Sequence, residues 1–115
     1  MELLDLTAVE LGKKIRQREV SAAEAVEAVF ARAETAEPLL HSYVTFNRED
    51  ALAQAEEVQK KIIAGELTGP LAGVPVAVKD NLCIAGELTT CSSKILSDYR
   101  PTYTAEAVRN LQRSG

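Results

Sequence analysis

Apolar residues in the first half of the chain recur at helical spacing, and short polar signals mark where each stripe begins. Thr7-Ala8-Val9-Glu10 and Ser21-Ala22-Ala23-Glu24 each place a hydroxyl residue three positions ahead of a glutamate. That is the capping-box pattern, in which hydroxyl and carboxylate each satisfy a backbone N–H at a helix start. After Ser21 the apolar positions Ala22, Ala25, Val26, Val29, Phe30 and Ala33 share one face, with Glu24, Glu27 and Glu34 turned elsewhere. Pro38 is expected to stop this helix. The first helix has a thinner stripe of Ala8, Leu11 and Ile15. A third helix is predicted after Asn47, with Asp50 in its first turn, a stripe of Ala51, Ala55, Val58 and Ile62, and Gly65 as its stop. Between the second and third helices, Ser42-Tyr43-Val44-Thr45-Phe46 is rich in β-formers and predicts a strand.

The pattern changes at Glu66, where glycine and proline concentrate and short β-branched runs replace the long stripes. Gly69, Pro70, Gly73 and Pro75 steer the backbone into Val74-Pro75-Val76-Ala77-Val78, a run that suits a strand buried on both faces. Such a strand delivers Lys79 to its C-terminal end, where α/β folds place their chemistry. Leu82-Cys83-Ile84 extends or closely follows the strand, and Gly86 turns the chain. Arg100 to Tyr103 reads as a loop, and Thr104 as the cap of a last helix with Ala107, Val108 and Leu111 as its stripe. The expected class is therefore α/β, in one domain over 1–115. A mainly helical layer fills 1–65, and the start of a sheet core, with the Lys79 strand and a closing helix, fills 66–115.

Composition narrows the function classes. The 115 residues are 46% hydrophobic and 26% charged, ordinary globular values that argue against general disorder. Aromatic residues make up 4% and tryptophan is absent, so the core must come from Ala, Leu, Val and Ile. The net charge of −4, with no basic block, disfavours direct nucleic-acid binding, which needs a cationic footprint. The start, Met1-Glu2-Leu3-Leu4-Asp5, is acidic where a signal peptide is basic, and no apolar run approaches the ~20 residues of a membrane span. A cytoplasmic location with both thiols, Cys83 and Cys91, reduced is the reading that follows. One histidine, His41, and two isolated cysteines do not make metal-site spacing.

Lys79 is the candidate with a chemical reason behind it. A lysine in water is charged near neutral pH and a poor base, and burial at the end of an apolar strand is one way to change that. Its bland alternative is a solvated lysine just past a strand. Asp80 reads as a partner for nearby backbone N–H groups rather than an acid catalyst. Cys83 and Cys91 read as small buried fillers, since nothing basic adjoins them. Thr89 and Thr90 read as hydrogen-bond partners of neighbouring backbone. Ser92 and Ser93 lack flanking glycines, and a serine needs an adjacent base and oxyanion donors to act as a nucleophile.

Residues 69–81, Gly-Pro-Leu-Ala-Gly-Val-Pro-Val-Ala-Val-Lys-Asp-Asn, resemble the front of the amidase signature family. Together with 89–96, Thr-Thr-Cys-Ser-Ser-Lys-Ile-Leu, they resemble its tRNA-dependent amidotransferase branch, and weaker agreement runs through the whole chain. The resemblance implies a mixed sheet between helices, of which this chain holds the first strands only. It implies amide hydrolysis by a serine nucleophile, a second serine on a cis peptide, and a lysine corresponding to Lys79. The glycine- and serine-rich loop bearing both serines is expected beyond residue 115, so that this chain by itself is inactive. For the tRNA-dependent branch it implies ammonia release from glutamine for the ATP-dependent conversion of Glu-tRNA(Gln) to Gln-tRNA(Gln). It also implies B and C subunits as partners, with ATP and Mg used by one of those partners and no cofactor in this chain. A general amidase for small or acyl amides and a non-catalytic partner-binding module are the alternatives.

Overall fold

The computed structural model describes residues 2–115. Its helices are α1 (Ala8–Arg16), α2 (Ala22–Leu40), α3 (Arg48–Ile63) and α4 (Glu106–Ser114), preceded by a 3-10 turn at Leu3–Asp5. The chain divides into two compact units. One runs through Pro75 and includes Ser114–Gly115; the other is Val76–Arg113.

In the first unit both capping boxes form as the spacing predicts. Thr7 accepts from the Glu10 N–H while Glu10 reaches back to Thr7, and Ser21 and Glu24 do the same for α2. The Ala22 N–H, another orphan donor of that first turn, is met by Gln59 Oε1 of α3 at 2.8 Å. Ile15 is fully buried and joins Leu11, Ala25, Ile62 and Ala72 in the main core, with Leu3, Leu6, Val58, Leu67 and Val74 packed around it. Ala22, Val26 and Ala55 form a second cluster where α2 lies on α3. Alanines at these positions let the two helices approach closely, which is how a core with few aromatics fills its volume. Ala8, assigned to the α1 stripe, is exposed.

Two glycines fix the backbone here. Gly12, buried in α1, lies against the Pro70 carbonyl: a Cβ at this position would sit 2.0 Å from that oxygen. Arg16 Nη1 secures the same junction by donating to the Gly69 carbonyl at 2.9 Å. Gly65 has φ +77 and ends α3 in a Schellman motif, Glu66 N–H to Lys61 carbonyl and Gly65 N–H to Ile62 carbonyl.

Several expectations need correction. Pro38 does not stop α2, which continues to Leu40. Proline in the last turn forfeits one hydrogen bond only, and the helix ends instead at His41, with φ 49 and its N–H on the Glu37 carbonyl. Residues 42–46 form no strand. The Ser42 and Tyr43 N–H groups bind the Glu37 carboxylate at 2.7 and 3.1 Å, and Phe46 folds back, its ring centroid 6.2 Å from that of Phe30. Asn47 sits at the α3 N-cap position but its side chain caps nothing. Arg48 next to it pairs with Glu27 and Glu34 of α2 instead. Thr104 likewise does not cap α4; its hydroxyl accepts the Ala85 N–H at 3.0 Å.

The largest correction concerns the sheet. No strand forms among the described residues, so the α/β class with its first strands is not what they adopt; they are helices and loops. Val74 to Val78 lacks ladder partners, and Val76 is 57% exposed rather than buried on both faces. A strand exists only by hydrogen bonding to a neighbour, and none is present to complete the ladder.

Candidate active-site segment around Lys79

Lys79 belongs to the second unit. Its side chain is exposed and makes no hydrogen bond or ion pair among the described residues. Its carbonyl accepts the Leu82 N–H at 3.0 Å, so Lys79-Asp80-Asn81-Leu82 closes a turn. The apolar run before it therefore ends in a turn that presents the lysine outward.

Asp80 lies in a different environment. Its Oδ1 accepts the Thr90 N–H at 2.9 Å, its Oδ2 accepts the Thr90 hydroxyl, and its carbonyl accepts the Cys91 N–H at 3.0 Å. The Thr90 hydroxyl holds the Asp80 carboxyl below its ordinary 3.8, aided by the Thr90 N–H, the Ser92 N–H and the charge of Lys79. Asp80 is thus an ionised acceptor and not a proton donor at neutral pH. Thr90 is buried and hydrogen-bonded on three sides, since its hydroxyl also accepts from Ser92 N–H and its carbonyl from Ser93 N–H. Thr89 is buried as well, with its N–H on the Tyr99 carbonyl at 3.0 Å.

The two cysteines depart from the sequence reading. Cys91 is exposed, not a buried filler, because it and Ser92 take left-handed backbone angles, φ 49 and 58, that turn the chain at the surface. Cys83 is half-buried, and its thiol donates to Tyr103 Oη at 3.5 Å, a contact that pushes the phenol of Tyr103 upward. Neither Ser92 nor Ser93 has a hydrogen-bonded base among the described residues, so neither is equipped as a nucleophile.

Elsewhere little is equipped for chemistry. A cavity of about 430 Å³ in the first unit is lined by Phe30, Pro38, His41 and Phe46 among others. Its charged groups are already committed, Arg48 to Glu27 and Glu34, and Glu37 to two backbone N–H groups. No group of three or more His, Cys, Asp or Glu side chains that could hold a metal ion occurs among the described residues. Among them, too, no helix is long and apolar enough to cross a membrane.

The sequence motif therefore resolves into a projecting lysine and an acid that ties its turn to Thr90 and Cys91. A family model described as Amidase matches residues 24–115, and the chain belongs to the amidase family. Curated relatives make the likeness more particular. Over 115 residues, all of this chain, it is 59% identical to the glutamyl-tRNA(Gln) amidotransferase A subunit of Lachnospira eligens and 59% identical to that of Agathobacter rectalis. The corresponding A subunit of Carboxydothermus hydrogenoformans is 52% identical over the same length. The chain spans about a quarter of each of these relatives, 24%, 23% and 24% of their lengths. Two solved structures from work on a vestigial protein complex and the origins of an s-triazine catabolic enzyme also match, one of them inhibitor-bound. Each shares 30% identity and a TM-score of 0.87, over 96% of this chain and 24% of theirs.

Proposed function

We propose that this chain forms the N-terminal, lysine-bearing part of the A subunit of a glutamyl-tRNA(Gln) amidotransferase. The observation that carries the proposal is 59% identity, across the whole chain, to subunits of that name, with the Lys-Asp-Asn and Thr-Thr-Cys motifs inside the matched region. The complete protein releases ammonia from glutamine, and the ammonia converts ATP-activated Glu-tRNA(Gln) to Gln-tRNA(Gln) on a partner. B and C subunits complete the cytoplasmic complex, and ATP with Mg serves the partner rather than this chain.

In this reading Lys79 is the proton-moving member of a triad whose two serines lie outside these 115 residues. Lys79 takes a proton from the cis-peptide serine as that serine takes one from the nucleophile. It later returns the proton by the same route to the departing ammonia. The run Val74 to Val78 becomes a buried strand when its ladder partners are present. By the same token the 115 residues alone are inert. A general amidase for small amides is the runner-up; the solved structures from work on the origins of an s-triazine catabolic enzyme match at 30% identity, against 59% for the A subunits.

The test is a chimera in which residues 1–115 replace the matching segment of the L. eligens protein, assembled with that organism's B and C subunits. Glutamine-dependent ammonia release is expected, with Lys79→Ala reducing it at least ~10³-fold, since a triad member acts as a unit with its partners. Undiminished release by Lys79→Ala rejects the catalytic role, and release from small amides but not glutamine moves the assignment to the runner-up.

A further inference from the structure

We propose that Asp80 and Thr90 are the positioning pair for Lys79, a cross-tie that fixes the backbone from which the lysine projects. The proposal rests on the reading of Lys79 as the proton-moving group and adds to it two residues that touch neither substrate nor proton. A lysine reaches its target through a long flexible stem, so its aim depends on how firmly its backbone is held. From Val76 to Asn81 the hydrogen bonds among the described residues are few. The Lys79 carbonyl takes the Leu82 N–H, and the others belong to Asp80.

Asp80 is held at both ends of the residue. Its carboxylate receives two donors of Thr90, and its carbonyl receives the Cys91 N–H. The receiving segment is itself anchored: Thr89 and Thr90 are 2% and 9% exposed, and Thr89 N–H is bonded to the Tyr99 carbonyl. Immediately after it, Cys91 and Ser92 adopt consecutive left-handed conformations that non-glycine residues seldom take. Such backbone persists where its surroundings over-determine it, and it concentrates at functional sites. Here the surroundings are the Asp80 carbonyl on Cys91 N–H, the Thr90 hydroxyl on Ser92 N–H and the Thr90 carbonyl on Ser93 N–H. Asparagine at 80 supplies a single acceptor oxygen where two are in use, and valine at 90 removes the hydroxyl that bridges Asp80 and Ser92.

Two measurements test the pair. In the chimera assay, Asp80→Asn is expected to lower kcat about 10²-fold and Thr90→Val about 10-fold, as for a displacement of a catalytic group by an ångström or less. KM for glutamine stays within about threefold, and Thr90→Ser, which keeps the hydroxyl, stays near the parent. Equal kcat for the parent, Asp80→Asn and Thr90→Val, or an equal loss in Thr90→Ser, overturns the positioning role. In the 115-residue chain, amide hydrogen exchange by NMR reads the tie without catalysis. Leu82, Thr90 and Cys91 are expected to exchange at least about tenfold faster in Asp80→Asn than in the parent. Unchanged exchange overturns the tie itself. An inert parent chimera instead rejects the functional reading, and the exchange experiment then decides the tie alone.

Discussion

Replacing Gly12 with alanine isolates the closest backbone approach in the first unit. Alanine is the better helix former, so an exposed helix position would gain about 1 kcal/mol from this change. At Gly12 the added Cβ would lie 2.0 Å from the Pro70 oxygen and 3.0 Å from its carbon. Both are backbone atoms and cannot rotate away. Ordinary contact begins near 3.4 Å, so helix and loop must separate by about 1.4 Å. That movement strains the Arg16 bond to the Gly69 carbonyl and loosens Leu11 and Ile15 against the core. Overpacking of a tight site costs about 3 kcal/mol at its upper range, and a lost hydrogen bond about 1. After the propensity gain, a net loss of about 3 kcal/mol remains, roughly 12 °C in melting temperature for a domain of this size. Thermal and urea unfolding followed by circular dichroism at 222 nm (the helical band) measure it. A Gly12→Ala chain that melts at or above the parent would refute the claim that α1 is docked on the Pro70 carbonyl.

Other outcomes follow from the same geometry. Ile15→Ala opens a cavity at a fully buried position and is expected to cost about 2–5 kcal/mol by urea titration; a loss under 1 would mean that the core closes over it. Ser21→Ala removes the hydroxyl cap of α2 and should cost about 1 kcal/mol, with Ser21→Thr largely restoring it. Stability should also fall in acid. Glu10 and Glu24 are held below their ordinary 4.5 chiefly by the backbone N–H groups of Thr7 and Ser21, and Asp80 below 3.8 chiefly by the Thr90 hydroxyl. Carboxyls depressed in the folded state contribute stability above their unfolded pKa that is lost as pH falls through the folded one. The urea midpoint should therefore drop between about pH 5 and pH 3, and less steeply in the Glu10→Gln, Glu24→Gln double variant. A midpoint that rises in acid contradicts this assignment.

Much of the first unit was legible from residue spacing because its determinants are local. A capping box acts over three residues and a helical stripe over a few turns, so Thr7–Glu10, Ser21–Glu24 and the Ala22–Ala33 face could be read in place. The Lys79 motif was legible too, since the whole run from Gly69 to Asn81 stands in consecutive positions. Tertiary structure decided the rest. Whether Val74 to Val78 is a strand depends on partners that no local pattern contains, and without them Val76 faces solvent. The β-forming run at Ser42–Phe46 was overruled by the Glu37 carboxylate and the Phe30 ring. Asp80 read as a partner for backbone N–H groups, but Thr90 as its partner, ten residues away, emerged only once the chain was folded. Gly12 gave no sign of its purpose until Pro70 lay against it, 58 positions along the chain. Local hydrogen-bond competition is written in neighbouring residues; ladder pairing and backbone contact between distant segments arise only when the chain closes on itself.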